Sequence, residues 1–311
     1  MLAASATAFQ VIQVDPAVRP YQKASGVSGS LSSVGSDSMN NLMTLWAETF
    51  RKFYPSVKVQ VEGKGSSTAP PALIAGTSQF GPMSREMRST EMDQFQQRYG
   101  YRPTGIRTSY DALAVYVHRD NPIKQLTLAQ VEAVFSKTRR RGYKQNVTTW
   151  GQLGLTGDWA NRPIAIYGRN SASGTYGFFK ELVLRNGDFK DTVKEQPGSA
   201  SVVQGVSEDR YAIGYSGSGY RTSGVRAVPI AETEAGPYYE GTYQEVTTGK
   251  YPLSRFLYVY LNKAPNKPLD PLPLEFAKLM LSREGQEVVI KDGYMPLLPA
   301  LVAEELAKIT K

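Results

Sequence analysis

The residues best suited to chemistry stand in one stretch, Ile166-Tyr167-Gly168-Arg169-Asn170-Ser171-Ala172-Ser173-Gly174-Thr175-Tyr176-Gly177-Phe178-Phe179. Its chemistry is that of holding an anion. Arg169 offers a planar fork of donors matched to a tetraoxyanion. Ser173, Gly174 and Thr175 fall where a helix would begin, and the first backbone N–H groups of a helix have no partner inside it. Those groups and the helix dipole add to the two hydroxyls. Ser and Thr are also ordinary N-cap residues, so this stretch alone leaves an anion site and a plain cap as equal readings.

Three further segments shift the balance. Gly35-Ser36-Asp37-Ser38-Met39 precedes an amphipathic helix over 40–53. Gly63-Lys64-Gly65-Ser66-Ser67-Thr68 follows a strand over 57–61 and precedes a helical run over 70–75, whose prolines suit a first turn. Phe80-Gly81-Pro82-Met83-Ser84-Arg85 sets another hydroxyl beside another arginine. One such turn is commonplace. Several of them, in a chain with almost no catalytic side chains, indicate a pocket built from hydroxyls and helix N-termini.

The elements that must position these loops alternate. From 36 to 107 the order is loop, helix, strand, loop, helix, short strand, helix, which argues for α/β layers on a mainly parallel sheet. Residues 112–117 read as a buried strand that Asp120-Asn121-Pro122 stops, and 127–135 as a helix with Thr127 at its N-cap. A second unit starts at 150–155 and contains a strand over 162–167 and a helix over 176–184. A strand over 211–215, a turn over 216–219, an irregular Tyr-rich segment over 232–254 and a second strong strand over 255–261 follow. Helices over 272–282 and 284–291 complete the expected chain. Residues 9–33 are Gly/Ser/Pro-rich and read as a loosely ordered arm. There is no internal repeat.

Bulk properties narrow the function. A length of 311 residues suits one large or two ordinary domains. No run approaches the ~20 apolar residues of a transmembrane helix. The formal charge of +8 is scattered, with Arg139-Arg140-Arg141 the one dense run. That run reads as a solvated loop face, and without an aromatic-basic signature nucleic acid is not an expected partner. A basic surface instead attracts anions through its field. The absence of cysteine excludes disulfides, thiolate chemistry and a lipoprotein anchor, and a single histidine, His118 at a strand exit, argues against a metal site or a general base. No nucleophile elbow or Walker loop is present, and Lys64 near Ser66 is the one pairing a hydrolase reading could use. Residues 1–8 resemble the tail of a signal peptide, with Ala6-Thr7-Ala8 in small-x-small form but no basic n-region; a short N-terminal helix is the other reading.

In order and spacing, the segments Gly35–Met39, Gly63–Thr68, Gly81–Arg85, Arg169–Thr175 and Ala212-Ile213-Gly214-Tyr215 resemble the PstS-type periplasmic phosphate-binding proteins of ABC phosphate importers, a PBP-like domain family. The likeness runs from about Leu31 to about Pro299, and Arg-x-x-x-Ser-Gly-Thr is its most specific part. It implies a two-lobed α/β Venus-flytrap fold of the periplasmic-binding-protein kind, with the ligand in the interlobe cleft. It implies an N-terminal arm over 1–27, lobe 1 over 28–111 and 256–311, and lobe 2 over 112–255. It further implies phosphate contacts from Ser38, the Met39 N–H, Ser66, Ser67, Ser84 and Arg85 in lobe 1, and from Arg169, Ser173, Gly174 and Thr175 in lobe 2. The implied protein is a periplasmic or secreted monomer, not an enzyme, without cofactor or metal, which delivers inorganic phosphate to an ABC permease in the inner membrane.

One departure concerns selectivity. Phosphate retains a proton at physiological pH and sulfate does not, so a carboxylate in the site accepts from one and repels the other. Many family members carry an aspartate after the serine where this chain has Arg85. Asp37 is the nearest replacement by position and Asp111 the second. Arg85 then serves as a second cation on the ligand or pairs with Glu86, Asp37 or Asp111. Two other functions fit the same residues. One is a receptor for sulfate, molybdate or arsenate. The other is a secreted adhesion or signalling protein that reuses the phosphate-binding fold through its arm and the 232–254 segment.

Overall fold

Two sheets, each of five strands, organise the chain in the computed structural model, which describes residues 12–311. The signal-peptide remnant expected over 1–8 lies outside the described residues. The first sheet has the order β2-β1-β3-β12-β4, with β1 Ser30–Val34, β2 Lys58–Glu62, β3 Phe80–Met83, β4 Thr104–Ala112 and β12 Ser254–Leu261. Strands β1, β2 and β3 are parallel, while β12 runs antiparallel to both β3 and β4. The second sheet has the order β10-β5-β9-β7-β8, with β5 Ala114–His118, β7 Ala165–Arg169, β8 Lys194–Gln196, β9 Ala212–Ser216 and β10 Val225–Ala227. Here β7, β8 and β9 are parallel. A short pair, β6 Leu126–Thr127 and β11 Ile230–Ala231, lies apart.

Helices cover the sheets. They are α1 Asn40–Phe53, α2 Ala69–Ala75, α3 Ser89–Tyr99, α4 Leu128–Phe135, α5 Gly174–Leu182, α6 Ser199–Glu208, α7 Tyr243–Thr247, α8 Pro271–Met280, α9 Arg283–Lys291 and α10 Pro299–Thr310. In α1 the residues Leu42, Met43, Trp46, Ala47 and Phe50 recur at three- and four-residue spacing and are all buried. That stripe is what an amphipathic helix needs to cover a sheet. Thr127 caps α4 as its residue type dictates, accepting from the Gln130 N–H at 3.2 Å. No helix among the described residues is long and apolar enough to cross a membrane.

Four expectations need correction. The segment read as a loose arm is docked: Val18, Tyr21 and Val27 are buried, the Tyr21 hydroxyl donates to Glu275 Oε2 at 2.7 Å, and the Arg283 N–H donates to the Arg19 carbonyl at 2.9 Å. Its last residues already belong to β1. A further helix, α10, follows the two that were expected to end the chain; Pro299 at its first turn is the start signal. In the segment read as irregular, 243–247 forms α7. The Arg139–Arg141 run is solvated only in part: Arg140 is exposed, but the run also has backbone partners. Arg141 donates to the Val183 and Leu182 carbonyls at 2.8 and 2.7 Å, and Arg140 to the Arg185 carbonyl at 2.9 Å, so these two cap the C-terminal end of α5. Cations there answer the unpaired carbonyls and the negative end of the dipole. Buried Glu132 holds the run in turn, by accepting from the backbone N–H groups of Arg140 and Arg141.

Candidate functional site

Parallel strands bring their carboxyl ends to one place, and open α/β sheets use that edge for ligands. In the first sheet β1, β2 and β3 lead into the loops at 35–39, 63–68 and 84–88. These loops are stitched to each other: the Ser36 N–H donates to the Pro82 carbonyl at 2.8 Å and the Gly65 N–H to the Gly35 carbonyl at 2.8 Å. In the second sheet β7 ends on Arg169 and leads through Ser173 into α5, while β8 leads through Pro197 and Gly198 into α6. The expected strand and helix around Arg169 are therefore present, with α5 starting two residues earlier than its apolar pattern suggests.

From these edges five buried hydroxyls form a chain. Ser199 Oγ lies 3.4 Å from Ser38 Oγ, Ser38 Oγ 2.8 Å from Thr175 Oγ1, Thr175 Oγ1 3.4 Å from Ser84 Oγ, and Ser84 Oγ 3.3 Å from Ser66 Oγ. Ser38, Ser66 and Ser84 come from the first sheet, and Thr175 and Ser199 from the second. Each hydroxyl both donates and accepts and can rotate to suit a ligand oxygen. Gly174 makes the meeting possible. A Cβ there would stand 2.7 Å from Ser84 Oγ and closer still to Ser66 Oγ. Across the same gap Ser67 donates from its N–H and its hydroxyl to the Ala172 carbonyl, both at 3.1 Å. Gly65 permits that approach through a positive φ of 121°.

Arg169 stands at the Ser199 end. Its Nη1 donates to Ser199 Oγ at 2.6 Å, its Nη2 to the Pro197 carbonyl at 3.2 Å, and Nη2 lies 3.2 Å from Asp37 Oδ2. Burial lowers the pKa of this guanidinium from its ordinary value, and Asp37 opposes that. Asp37 Oδ2 also accepts from the Ser199 N–H at 2.8 Å. The turn that carries Asp37 and Ser38 is held by two phenols, Tyr220 donating to the Asp37 carbonyl at 2.8 Å and Tyr294 to the Ser38 carbonyl at 2.6 Å. Burial raises the pKa of both phenols, which keeps them donors.

The other expected site residues have defined places. Ser173 Oγ accepts from the Thr175 and Tyr176 N–H groups at 3.1 and 3.3 Å and is the N-cap of α5. The Met39 N–H donates to the Ser36 carbonyl at 3.2 Å, and its side chain is buried. Arg85 pairs with neither Asp37 nor Asp111. It makes a bidentate bond to Glu91, Nη1 to Oε2 at 2.8 Å and Nη2 to Oε1 at 2.7 Å, besides donating to the Glu86 carbonyl. Asp111 is buried against Arg255, with Nη2 2.6 Å from Oδ2. Ser199, Tyr220, Tyr294 and Arg255 are site residues that the motifs did not flag. For Arg255 a signal existed: it alternates with Leu257 and Val259 on the inward face of β12, where a charge is out of place. Lys64 pairs with Glu62 at 2.6 Å on the surface and His118 Nδ1 accepts from the Asp120 N–H, so neither serves a hydroxyl of the cluster as a base. The arrangement can bind and dehydrate an oxyanion; it has no group placed to activate a nucleophile.

Comparisons with known proteins place the chain in a family. The PBP superfamily domain matches residues 21–284. The chain is 60% identical over 301 residues to the phosphate-binding protein PstS of Pseudomonas aeruginosa, covering 97% of this chain and 93% of that one. It is 25% identical over 297 residues to protein SphX of Synechococcus elongatus, covering 94% and 85%. Among solved structures, one from Clostridium perfringens, described as a phosphate ABC transporter substrate-binding protein with bound phosphate, has a TM-score of 0.72 at 27% identity, covering 87% of this chain and 100% of that one. An ABC-type phosphate transport receptor from Vibrio cholerae shares the fold, with a TM-score of 0.64 at 22% identity over 86% and 100% of the two chains.

Proposed function

The chain belongs to the PBP superfamily and, within it, to the PstS phosphate-binding proteins, and from that premise we propose that it captures inorganic phosphate outside the cytoplasm, in the periplasm or as a secreted protein, and hands it to an ABC permease in the inner membrane. It acts as a monomer. The observation that carries this reading is the buried chain of five hydroxyls drawn from both sheets, with Arg169 bonded to one end.

A multivalent anion leaves water only if its hydration is replaced bond for bond. Rotatable hydroxyls and backbone N–H groups at the start of α5 do this without loading a buried site with charge, and the guanidinium of Arg169 adds the strong charge-assisted bonds. The lobes, 28–111 with 256–311 and 112–255, close on the ligand by bringing Ser38, Ser66 and Ser84 against Thr175 and Ser199. Ser67 and Ala172 latch beside them. Asp37 is the acid that reads the phosphate proton: its Oδ2 serves Arg169 and Ser199, which leaves Oδ1 as an acceptor. Calorimetric titration with phosphate and with sulfate, repeated by melting curves and small-angle scattering, tests the reading. Phosphate should bind with preference, raise the melting temperature and contract the particle. Preference for sulfate, molybdate or arsenate would make it a receptor for that ion. No heat with any of them would favour the adhesion or signalling alternative.

A further inference from the structure

A second guanidinium stands against the hydroxyl chain. Arg255 is the second residue of β12, and Asp111 is its register partner on β4. The two side chains are 2% and 0% exposed. Arg255 Nε donates to Asp111 Oδ2 at 2.8 Å. Up to this point the pair is what neighbouring strands use to bury a charge. Three observations go further. Arg255 Nη1 turns away from the carboxylate and donates to Thr175 Oγ1 at 3.1 Å and to the Ser84 carbonyl at 2.8 Å, so it touches one hydroxyl of the chain and the backbone of another member. The Phe178 ring of α5 lies 5.4 Å from Cζ, which fixes the plane of the fork. Arg169 Nε is buried without a hydrogen-bond acceptor, whereas Arg255 Nη2 lies 2.6 Å from Asp111 Oδ2. A buried unpaired donor on a cation is costly unless something meets it.

We propose that Arg255 is a second anion-binding arginine of this site, held in place by Asp111, so that the tetraoxyanion sits between two guanidiniums. The proposal rests on the phosphate-binding reading above and adds a residue to it. Two arginines and two aspartates, Asp37 and Asp111, sum to no net charge. The site thus offers two guanidiniums without a standing positive charge, and recognition depends on where their donors point, Nη1 in the case of Arg255. Asp111 also accepts at Oδ1 from the Ser218 N–H and hydroxyl, at 2.9 and 3.1 Å. Its bonds therefore fix the fork relative to both lobes, which makes Asp111 a positioning residue.

The experiment is a charge-neutral cycle. Arg255→Gln alone leaves Asp111 buried and unpaired and is expected to fold poorly. The double variant Asp111→Asn, Arg255→Gln removes both charges and keeps polar partners. If Arg255 holds the ligand, the folded double variant binds phosphate about 30-fold or more weakly in calorimetry, with a melting temperature near that of the wild type. Arg255→Lys keeps the charge and loses the fork, and binds about tenfold more weakly. Wild-type affinity in either folded variant would show that Arg255 only neutralises Asp111 and would overturn the proposal. Should the wild type bind another oxyanion in place of phosphate, the same titrations are run with that ion, so the two readings fail separately.

Discussion

Two aspartate–arginine pairs flank the hydroxyl chain, and they are built differently. Asp37 and Arg169 meet across the gap between the sheets through one contact at 3.2 Å, and the Asp37 side chain keeps 23% of its exposure. Asp111 and Arg255 lie side by side on two paired strands of one sheet, with no exposure at the acid. The first pair can come apart when the lobes separate, because water can reach the acid. The second cannot come apart without leaving a bare charge in the core. A pair that makes and breaks in each binding cycle must be weak; one that anchors a fork must be permanent.

The largest test of that difference is Asp111→Asn. Breaking a fully buried pair from one side costs about 3–5 kcal/mol. Chemical denaturation should show a loss of that order, and a loss as small as that of Asp37→Asn would remove the distinction. Next, Arg169→Ala should weaken phosphate binding by about 2–5 kcal/mol in calorimetry while the protein stays folded, because the fork is lost from a dry site. Near-normal affinity would mean that the cross-gap pair is not the principal grip.

Asp292 sharpens the comparison from the side of pH. It sits beside the contact where Ser218 Oγ donates to the Gly293 carbonyl, near Tyr220 and Tyr294, and accepts from the Asn41 amide. Burial pushes its pKa from 3.8 up to about 6, against the pull of Asn41. The folded protein therefore binds this proton more tightly than the unfolded chain does. Its contribution to stability falls as pH rises through that window, and the penalty is complete above about 6. Asp292→Asn should flatten this part of the stability curve and gain about 1–3 kcal/mol at neutral pH, read by denaturation at two pH values. A curve unchanged by the substitution would contradict it. The smallest expected effect is Asp37→Asn. Asp37 is within reach of water and its Asn replacement keeps an acceptor for the Ser199 N–H, so stability should fall less than in Asp111→Asn. The phosphate-to-sulfate preference should nevertheless narrow, since the amide can donate where the carboxylate only accepts. If Asp111→Asn narrows it and Asp37→Asn does not, the proton-reading acid is Asp111.

What could be read from the sequence was local. Arg169 to Thr175 is a strand end, a loop and a helix start in consecutive residues, so its spacing alone places the donors. The same holds for Gly35–Met39 and Gly63–Thr68. Partnerships between distant residues left no such trace. Arg85 stands beside Ser84 in sequence, yet its fork is taken by Glu91 one helix start away. Arg255 stands in a strand read for its apolar neighbours, 144 positions from the acid that orients it. The arm was misread because Gly, Ser and Pro signal a lack of regular structure, and that is compatible with firm docking through Val18 and Tyr21. Arg140 and Arg141 find carbonyl partners, which carry no sequence signal.

The place of β12 has a consequence for how the protein is made. This strand lies between β3 and β4 and pairs with both, although about 140 residues separate it from β4. All five strands of the second sheet fall inside that interval, between 114 and 227. A chain emerging from the ribosome can therefore finish the second sheet while β3 and β4 still wait with open edges. Those edges are the segments most prone to pair wrongly until the last fifth arrives. Closure of the first sheet is the late, long-range step, and the same strand that completes it delivers Arg255 to the ligand.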